Sequence, residues 1–253
     1  MLVDYHVHAI GHNEGDHSLA NLRQFAIQAQ KKEIKELGIA DHNRYYRDFN
    51  FENIKLLDEE FAELQFKLGI EMDYTPGEEK EIAQFLDRFP LDFVIGSIHY
   101  LGDWMFDHPD YIERYKQWDI DKLYAEYFKY VVQAAEAGLF DIIGHLDLIK
   151  VFDYHPQAEV LEYAETALQA IAKAGLCIEI NTNGLNKPVE EVYPSYELLT
   201  RAYQLEIPVT LSSDAHIPQR VGEKLSEMRE LIKKIGYTEI ATFNNREQEL
   251  ISI

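Results

Sequence analysis

The 253-residue sequence has a single cysteine, Cys177, and no apolar run long enough to cross a bilayer. One cysteine excludes an internal disulfide, and its place in the apolar run GLCIEI predicts a buried small side chain and not a nucleophile. The first residues, MLVDYHVHAIGH, lack the basic and apolar segments of a signal peptide. We therefore expect a cytoplasmic protein that does not enter a membrane.

Positive charge is also scarce. The chain has 24 Lys and Arg residues against 45 Asp and Glu residues, which gives a formal net charge of −21. Such a chain is repelled by nucleic acid unless a local basic cluster overrides the total, and the sequence contains no such cluster. We expect no nucleic-acid partner. Ten histidines are the unusual feature of so acidic a chain.

Short apolar runs alternate with longer amphipathic ones along the whole chain. The amphipathic runs predict helices, as at 53–64, where Ile54, Leu57, Phe61 and Leu64 follow helical spacing. A further short strand is predicted near residues 239–243. The seven apolar runs that predict the main strands are 2–6, 35–40, 65–70, 92–98, 140–144, 176–180 and 208–212.

Repeated strand–helix alternation predicts an α/β protein with a parallel sheet. Closure into a barrel removes both edges of such a sheet, and an open doubly wound sheet is the alternative. No GxGxxG follows the first strand, so the sequence lacks the usual dinucleotide-binding signature. With no linker or low-complexity segment, residues 1–253 are expected to form one domain.

Polar residues that can bind metals follow nearly every predicted strand. In parallel barrels the active site lies at these carboxyl ends of the strands. Asp41 or Asn181 alone could be a cap or a turn residue, but histidines or carboxylates recur too regularly for that explanation to cover them all. The residues at the successive strand ends are His6 and His8, Asp41 and His42, Glu71, His99, His145, Asn181, and Asp214 with His216.

The composition of this group predicts a metal site. His6 and His8 are two residues apart in a strand, so both imidazoles lie on the same face and can bind one ion. Imidazoles mixed with carboxylates favour Zn, Fe or Mn over Mg or Ca. Several divalent ions would leave the pocket cationic within an acidic protein. We expect it to attract a phosphate monoester and to ionise a water near neutral pH.

Six short motifs resemble the metal-binding motifs of the polymerase and histidinol phosphatase (PHP) superfamily, in order along the chain. They are DYHVH at 4–8, ADH at 40–42, GIE at 69–71, GSIH at 96–99, GHLDL at 144–148 and SSDAH at 212–216. The segments FDIIGHLDLIKVF, EINTNGL with KPVEEVYPS, and IGSIHYLGDWMFD are similar to the histidinol-phosphatase branch. The resemblance implies a distorted (β/α)7 barrel with two to three divalent metal ions.

The resemblance also implies a ligand set. One ion would be held by His6, His8, Glu71 and Asp214, and a second by Glu71, His99 and His145. A third would be held by His42, His216 and one residue of the first loop. Both His12 and His17 lie in that loop, and His17 fits better because it immediately precedes the predicted helix.

The activity implied is hydrolysis of L-histidinol phosphate to L-histidinol and phosphate, in histidine biosynthesis. A hydroxide shared by two ions would attack phosphorus in line. Glu71 and Asp214 are the expected catalytic residues. The leaving alkoxide would take a proton from Asp214 or from water on the third ion.

The substrate-binding cation is less clearly marked. The branch often has arginine where this chain has Asn186. Lys187, Lys150 and Arg220 are therefore the candidates for binding phosphate. The alternatives are a phosphoesterase acting on another small phosphate ester or nucleotide, a PHP exonuclease-type module, and a non-catalytic metal sensor. The acidic charge argues against the exonuclease.

Overall fold

A computed structural model describes residues 1–12 and 14–253 of the chain. Seven parallel strands form one sheet, with the spatial order β1-β2-β3-β4-β7-β8-β9. Their order in space follows their order in the sequence, as expected for repeated strand–helix units. The strands are β1 Val3–Val7, β2 Glu36–Ile39, β3 Gln65–Asp73, β4 Phe93–Ser97, β7 Ile142–Ile143, β8 Cys177–Asn181 and β9 Val209–Ser212.

The two outer strands of this sheet meet. Val7 forms a parallel bridge with Ala215, and the backbone N–H of His8 donates to the carbonyl oxygen of Ala215 at 2.9 Å. The sheet is therefore nearly closed into a seven-stranded barrel. This confirms the predicted distorted barrel, and the open doubly wound sheet was the wrong alternative.

Within residues 1–12 and 14–253, seven α-helices connect the strands. The first helix shows why these segments fold: Ser18 caps its N-terminus by accepting from the backbone N–H of Asn21, and the apolar side chains of Leu22 and Phe25 are buried. Gly175 ends the fifth helix with a φ of 71°, a conformation that glycine adopts without strain. The helices are α1 Leu19–Lys31, α2 Phe51–Glu60, α3 Glu79–Leu86, α4 Ile120–Glu136, α5 Val160–Ala174, α6 Tyr196–Gln204 and α7 Leu225–Ile235.

The helix predicted at 53–64 lies slightly earlier in the structure. Helix α2 begins at Phe51, because Asn50 caps it, and ends at Glu60. Before α7, Pro218–Arg220 form a separate 3-10 turn. The strand predicted near 239–243 is β10, Glu239–Asn244, which pairs antiparallel with β11, Glu247–Ser252, outside the barrel sheet.

The barrel interior is closed by aromatic side chains. The ring of Phe93 packs edge-on against Tyr5, with ring centroids 4.9 Å apart, and Tyr5 also packs against Phe243 of the terminal hairpin. A Cβ added at Gly69 would lie 2.1 Å from the Phe93 ring, so the strand needs glycine there. The interior is a packed core, and the polar residues lie at the carboxyl ends of the strands.

A second small hairpin follows the fourth barrel strand. Its strands are β5, Tyr100–Leu101, and β6, Trp104–Met105, and a 3-10 helix covers Pro109–Gln117. Trp104 and Phe106 are almost completely buried and pack against each other edge-on, with ring centroids 6.4 Å apart.

Among the helices of the described residues, none combines the length and the apolar character needed to cross a membrane.

Candidate metal centre

In the part of the chain that the structure describes, the strand ends bring six side chains, five of them buried, into three groups that could each hold a metal ion. In each group, one ligand atom from every member lies within 4.8 Å of the others. Two of the groups share Glu71, two share His8 and two share His42. The groups are His6, His8 and Glu71; His42, Glu71 and His99; and His8, His42 and His216.

Glu71 lies at the centre of this cluster and is almost completely buried. Its Oε2 atom lies 2.5 Å from Nδ1 of His42 and 3.6 Å from Nε2 of both His6 and His8. Its Oε1 atom lies 3.0 Å from Nε2 of His145 and 3.3 Å from Nε2 of His99. Each oxygen thus faces a different set of imidazoles, as a carboxylate that joins two ions requires.

Many polar atoms of the cluster are buried but make no hydrogen bond to any residue that the structure describes. Such atoms are rare in native proteins because an unpaired buried polar group is costly, so each needs a partner of another kind. Imidazole nitrogen and carboxylate oxygen can both bind a divalent ion, so these residues fit a metal centre. The atoms are Nε2 of His6 and His216, both ring nitrogens of His8 and His42, Nδ1 of His145 and Oε2 of Glu71.

The carboxylates of the cluster are held ionised. Burial alone would raise the pKa of Glu71, but the imidazoles of His42, His99 and His6 outweigh it and hold that pKa well below its usual range. The pKa of Asp214 is likewise held well below its usual range by neighbouring histidines, against burial. Burial and the nearby His216 and His42 lower the pKa of His8, which leaves a neutral imidazole able to bind metal.

Two carboxylates that the sequence analysis missed orient histidines of the cluster. Oδ1 of Asp73 lies 2.5 Å from Nδ1 of His99, and Oε2 of Glu179 lies 2.9 Å from Nδ1 of His6. A carboxylate on one ring nitrogen fixes the tautomer and leaves the other nitrogen for a metal. Both could have been found, because Asp73 lies two residues after Glu71 on the same strand face and Glu179 interrupts an apolar strand.

Strand β3 extends further than the sequence predicted. It continues to Asp73, so Glu71 lies within the strand and not after its end. The backbone N–H of Glu71 donates to the carbonyl oxygen of Asp41, which bonds the end of β3 to the neighbouring loop. The glutamate is therefore fixed by regular strand pairing on both sides.

Asp214 has one oxygen bound by the protein and one facing the cluster. Its Oδ2 atom accepts from the side-chain amides of Asn181, at 3.2 Å, and Asn183, at 3.0 Å. Its Oδ1 atom lies 3.3 Å from Nε2 of His8. The residue has a φ of 51°, a left-handed conformation uncommon outside glycine and often found at functional sites.

The first loop differs from the sequence expectation. Nε2 of His17 lies 2.8 Å from Oδ2 of Asp41, and Nδ1 accepts from the backbone N–H of Asn50 at 3.0 Å. Both ring nitrogens of His17 are used within the protein, so the structure does not bring this predicted ligand to the cluster. The ring of His12 instead lies 4.4 Å from that of His216 and 5.9 Å from that of His42, centroid to centroid.

Comparison with known proteins agrees with this architecture. A PHP domain family model matches residues 4–183. The chain belongs to the PHP domain family. A probable histidinol-phosphatase of Deinococcus radiodurans is 36% identical over 98% of both chains, and a histidinol-phosphatase of Lactococcus lactis is 31% identical over 96% of this chain and 94% of its own.

A solved structure has the same fold over nearly the whole chain. The crystal structure of the Lactococcus lactis histidinol phosphate phosphatase, complexed with zinc, L-histidinol and phosphate, superposes with a TM-score of 0.81. The two sequences are 27% identical in this comparison, which covers 98% of each chain. Zinc in that protein agrees with the mixed nitrogen and oxygen ligands found in this PHP domain.

The three predicted phosphate-binding cations lie in different surroundings. Lys150 is buried, and its Nζ atom contacts Asp147 at 2.9 Å, Glu191 at 2.5 Å and the carbonyl oxygen of Val192 at 2.9 Å. These three acceptors match its three N–H groups. Lys150 therefore bonds two segments of the PHP domain together, and the prediction that it binds substrate does not fit this geometry.

Arg220 and Lys187 differ in what they face. Arg220 donates to Glu223 at 2.9 Å and to Oδ1 of Asn183 at 3.0 Å, so it supports an amide that holds Asp214. Lys187 is exposed and lines the cavity at the metal cluster. Among the described residues it has no ion-pair partner, which leaves its charge available to an anion.

The cavity beside the cluster contains polar and apolar groups other than the predicted ligands. Leu148 and Val151 contribute apolar surface, and Asn183 contributes an amide. Tyr193 and Asp107 each contribute a buried oxygen that accepts or donates no hydrogen bond in the described part of the chain. A ligand in this cavity would therefore meet the metal cluster on one side and unpaired polar atoms on the other.

Proposed function

We propose that this PHP domain hydrolyses L-histidinol phosphate to L-histidinol and phosphate, as a metal-dependent phosphomonoesterase of histidine biosynthesis. The observation that carries the proposal is the buried cluster around Glu71, in which many ring nitrogens and Oε2 of Glu71 have no hydrogen-bond partner among the described residues. The similarity to histidinol-phosphatases along nearly the whole chain supports the choice of substrate.

We propose that two to three divalent ions, zinc, manganese or iron, bind at the cluster. His6, His8, Glu71 and Asp214 would hold one ion, and Glu71 with His99 and His145 a second. His42, His216 and His12 would hold the third, with His12 in place of His17 because its ring lies beside the other two. When bound, the ions would acidify a water and stabilise negative charge on the phosphoryl group.

The residues themselves position and neutralise the substrate. The two oxygens of Glu71 face different sets of imidazoles. Glu71 therefore keeps the ligands of the two proposed ions a fixed distance apart. Asp214 stays ionised, and its Oδ1 atom, which faces the cluster, can accept a proton from an attacking water. Lys187 can approach the phosphate oxygens from the open side of the cavity as a point charge.

The remaining proposals concern the setting of the enzyme. We propose that residues 1–253 act as one domain, that the protein works in the cytoplasm and that it has no nucleic-acid partner. The net charge of −21 disfavours a polyanionic partner, whereas the histidine-rich cavity offers a local site for one compact anion.

Substrate profiling tests the proposal. Purified protein loaded with Mn or Zn is assayed for phosphate release from L-histidinol phosphate, a sugar phosphate, a nucleoside monophosphate and a single-stranded oligonucleotide. We expect the highest kcat/KM with L-histidinol phosphate and none with the oligonucleotide. A higher kcat/KM with another ester would assign that substrate class to the same site. No hydrolysis of any ester by a metal-loaded sample would leave a metal-binding protein without phosphatase activity.

A further inference from the structure

Asp107 places an unpaired carboxylate at the proposed active site. Its Oδ1 atom is buried and accepts no hydrogen bond from the described residues. In the same part of the chain it lies in no ion pair and in none of the three metal-binding groups. The residue lines the cavity together with His99, His145 and Lys187. Asp107 is therefore an acidic residue of the cavity that the proposed metal centre does not use.

The position of Asp107 is fixed by the packing of the residue before it. It is the second residue after β6, and the preceding Phe106 is completely buried and packs edge-on against Tyr127, with ring centroids 5.5 Å apart. The backbone N–H of Phe106 donates to the carbonyl oxygen of His99 at 3.2 Å. A packed aromatic support of this kind holds a side chain ready for a ligand without further ordering.

A carboxylate in this position is unfavourable for a site that binds only an anion. It repels phosphate, and a buried oxygen without a partner costs free energy. A cation on the substrate would offset both costs.

We propose that Asp107 binds the ammonium group of a phosphate monoester of an amino alcohol and so selects this class of substrate. The inference rests on the proposed function and extends it. In L-histidinol phosphate a single methylene separates the ester oxygen from the carbon that bears the amine. The ammonium must therefore lie close to the phosphoryl group, within the cavity that Asp107 lines. Leu148 and Val151 offer apolar surface to the rest of the substrate.

The test compares substrates that differ in the amine. Wild-type and Asp107→Asn proteins, both loaded with metal, are assayed with L-histidinol phosphate and with 4-nitrophenyl phosphate, which has no amine. We expect Asp107→Asn to lower kcat/KM for L-histidinol phosphate about 10- to 100-fold, as expected for loss of one charge-assisted hydrogen bond, and not to lower kcat/KM for 4-nitrophenyl phosphate, because removing the carboxylate charge only weakens its repulsion of the phosphate. Asp107→Glu should restore part of the loss.

Asp110→Asn is the matched control. It removes the same charge from the segment that follows β6, but the Asp110 side chain is 82% exposed. Both substrates should therefore be hydrolysed as by wild type. Metal content is measured in every variant. Equal losses with both substrates, or a loss of metal in Asp107→Asn, would assign Asp107 to the metal site or to the fold and overturn the proposal. Unchanged kinetics with both would also overturn it.

A second pair of esters separates this inference from the proposed function. If the wild type hydrolyses 4-nitrophenyl phosphate but not L-histidinol phosphate, the proposed substrate is wrong. Phosphoethanolamine and ethyl phosphate, which differ in the amine alone, then test Asp107. A preference for phosphoethanolamine that disappears in Asp107→Asn supports an ammonium site, and the absence of any preference rejects it. Calorimetric binding of L-histidinol to metal-loaded protein gives the same answer without turnover, since binding should weaken only in Asp107→Asn.

Discussion

Glu179 and His6 form a completely buried pair, with 2.9 Å between Oε2 of the glutamate and Nδ1 of the imidazole. The other oxygen of Glu179 accepts from the backbone N–H of His145 at 2.7 Å. One carboxylate from β8 thus orients a histidine of β1 and the segment that carries His145. With its Nδ1 proton held by Glu179, His6 keeps Nε2 free toward Glu71.

Glu179→Gln should weaken metal binding. The amide keeps the shape but loses the charge that stabilises the required tautomer of His6, and such changes cost about 10- to 100-fold in metal affinity. Competition with a coloured chelator measures the affinity. Glu162→Gln, at an exposed position of α5, is the control and should bind metal as wild type does. Wild-type affinity in a folded Glu179→Gln protein would show that Glu179 does not orient His6.

His12→Ala and His17→Ala should have opposite effects. His12→Ala should lose about one ion per chain and keep its stability, because the exposed ring lies against the rings of two other proposed ligands. His17→Ala should keep its metals but lose about 1–3 kcal/mol of unfolding free energy, since Asp41 and the backbone N–H of Asn50 lose a buried partner. Elemental analysis and denaturant unfolding measure both. The reverse pattern would restore His17 as the ligand.

The proposed phosphate-binding role of Lys187 can be tested separately from the structural role of Lys150. Lys187→Ala should weaken substrate binding by about 1.5–3 kcal/mol at unchanged stability, because its charge faces the cavity. Lys150→Ala should instead lower the unfolding free energy by about 3–5 kcal/mol, since it leaves the buried Asp147 without its cation. Steady-state kinetics and denaturant unfolding decide. An unchanged KM in Lys187→Ala would leave the metals as the anion site.

Metal binding should release protons. Burial disfavours the charged form of His99, but Glu71 and Asp73 outweigh it and raise its pKa to about 10 in the metal-free protein. At pH 7 this imidazole holds a proton that a metal must displace, so apparent metal affinity should rise with pH until about 10. Calorimetric titrations at pH 7 in buffers with different ionisation enthalpies count the protons. Metal binding without proton release would contradict this charge state.

The alternation of strand residues explains how much of the centre could be predicted from the sequence. His6 and His8 share a face because strand side chains alternate, and Glu71 and Asp214 follow apolar runs whose carboxyl ends meet in any parallel barrel. These relations need only local structure and strand order. They predicted the seven-stranded barrel and brought eight of the nine predicted metal-binding residues to one end of it, with His17 the exception.

The remaining features depend on contacts between distant segments. Asp41 accepts hydrogen bonds from the backbone N–H groups of Ala9, Ile10 and Gly11 and also contacts His17, so the loop conformation is set by a residue of the next strand end. Lys150 is removed from the cavity partly by Glu191, 41 residues along the chain. Neither contact has a signature in the local sequence, so the sequence alone could not show which groups surround His17 and Lys150.

The most direct test of the account is phosphate release from L-histidinol phosphate by one preparation before and after metal removal. The metal content of each sample is measured alongside, with Glu71→Gln as the matched variant. We predict that chelation abolishes turnover, that Mn or Zn restores it, and that folded Glu71→Gln binds less metal and is at least about a thousandfold less active, as for loss of a key electrostatic group. Full turnover by a sample shown to be metal-free, or wild-type metal content and activity in Glu71→Gln, would contradict a metal-dependent phosphatase centred on Glu71.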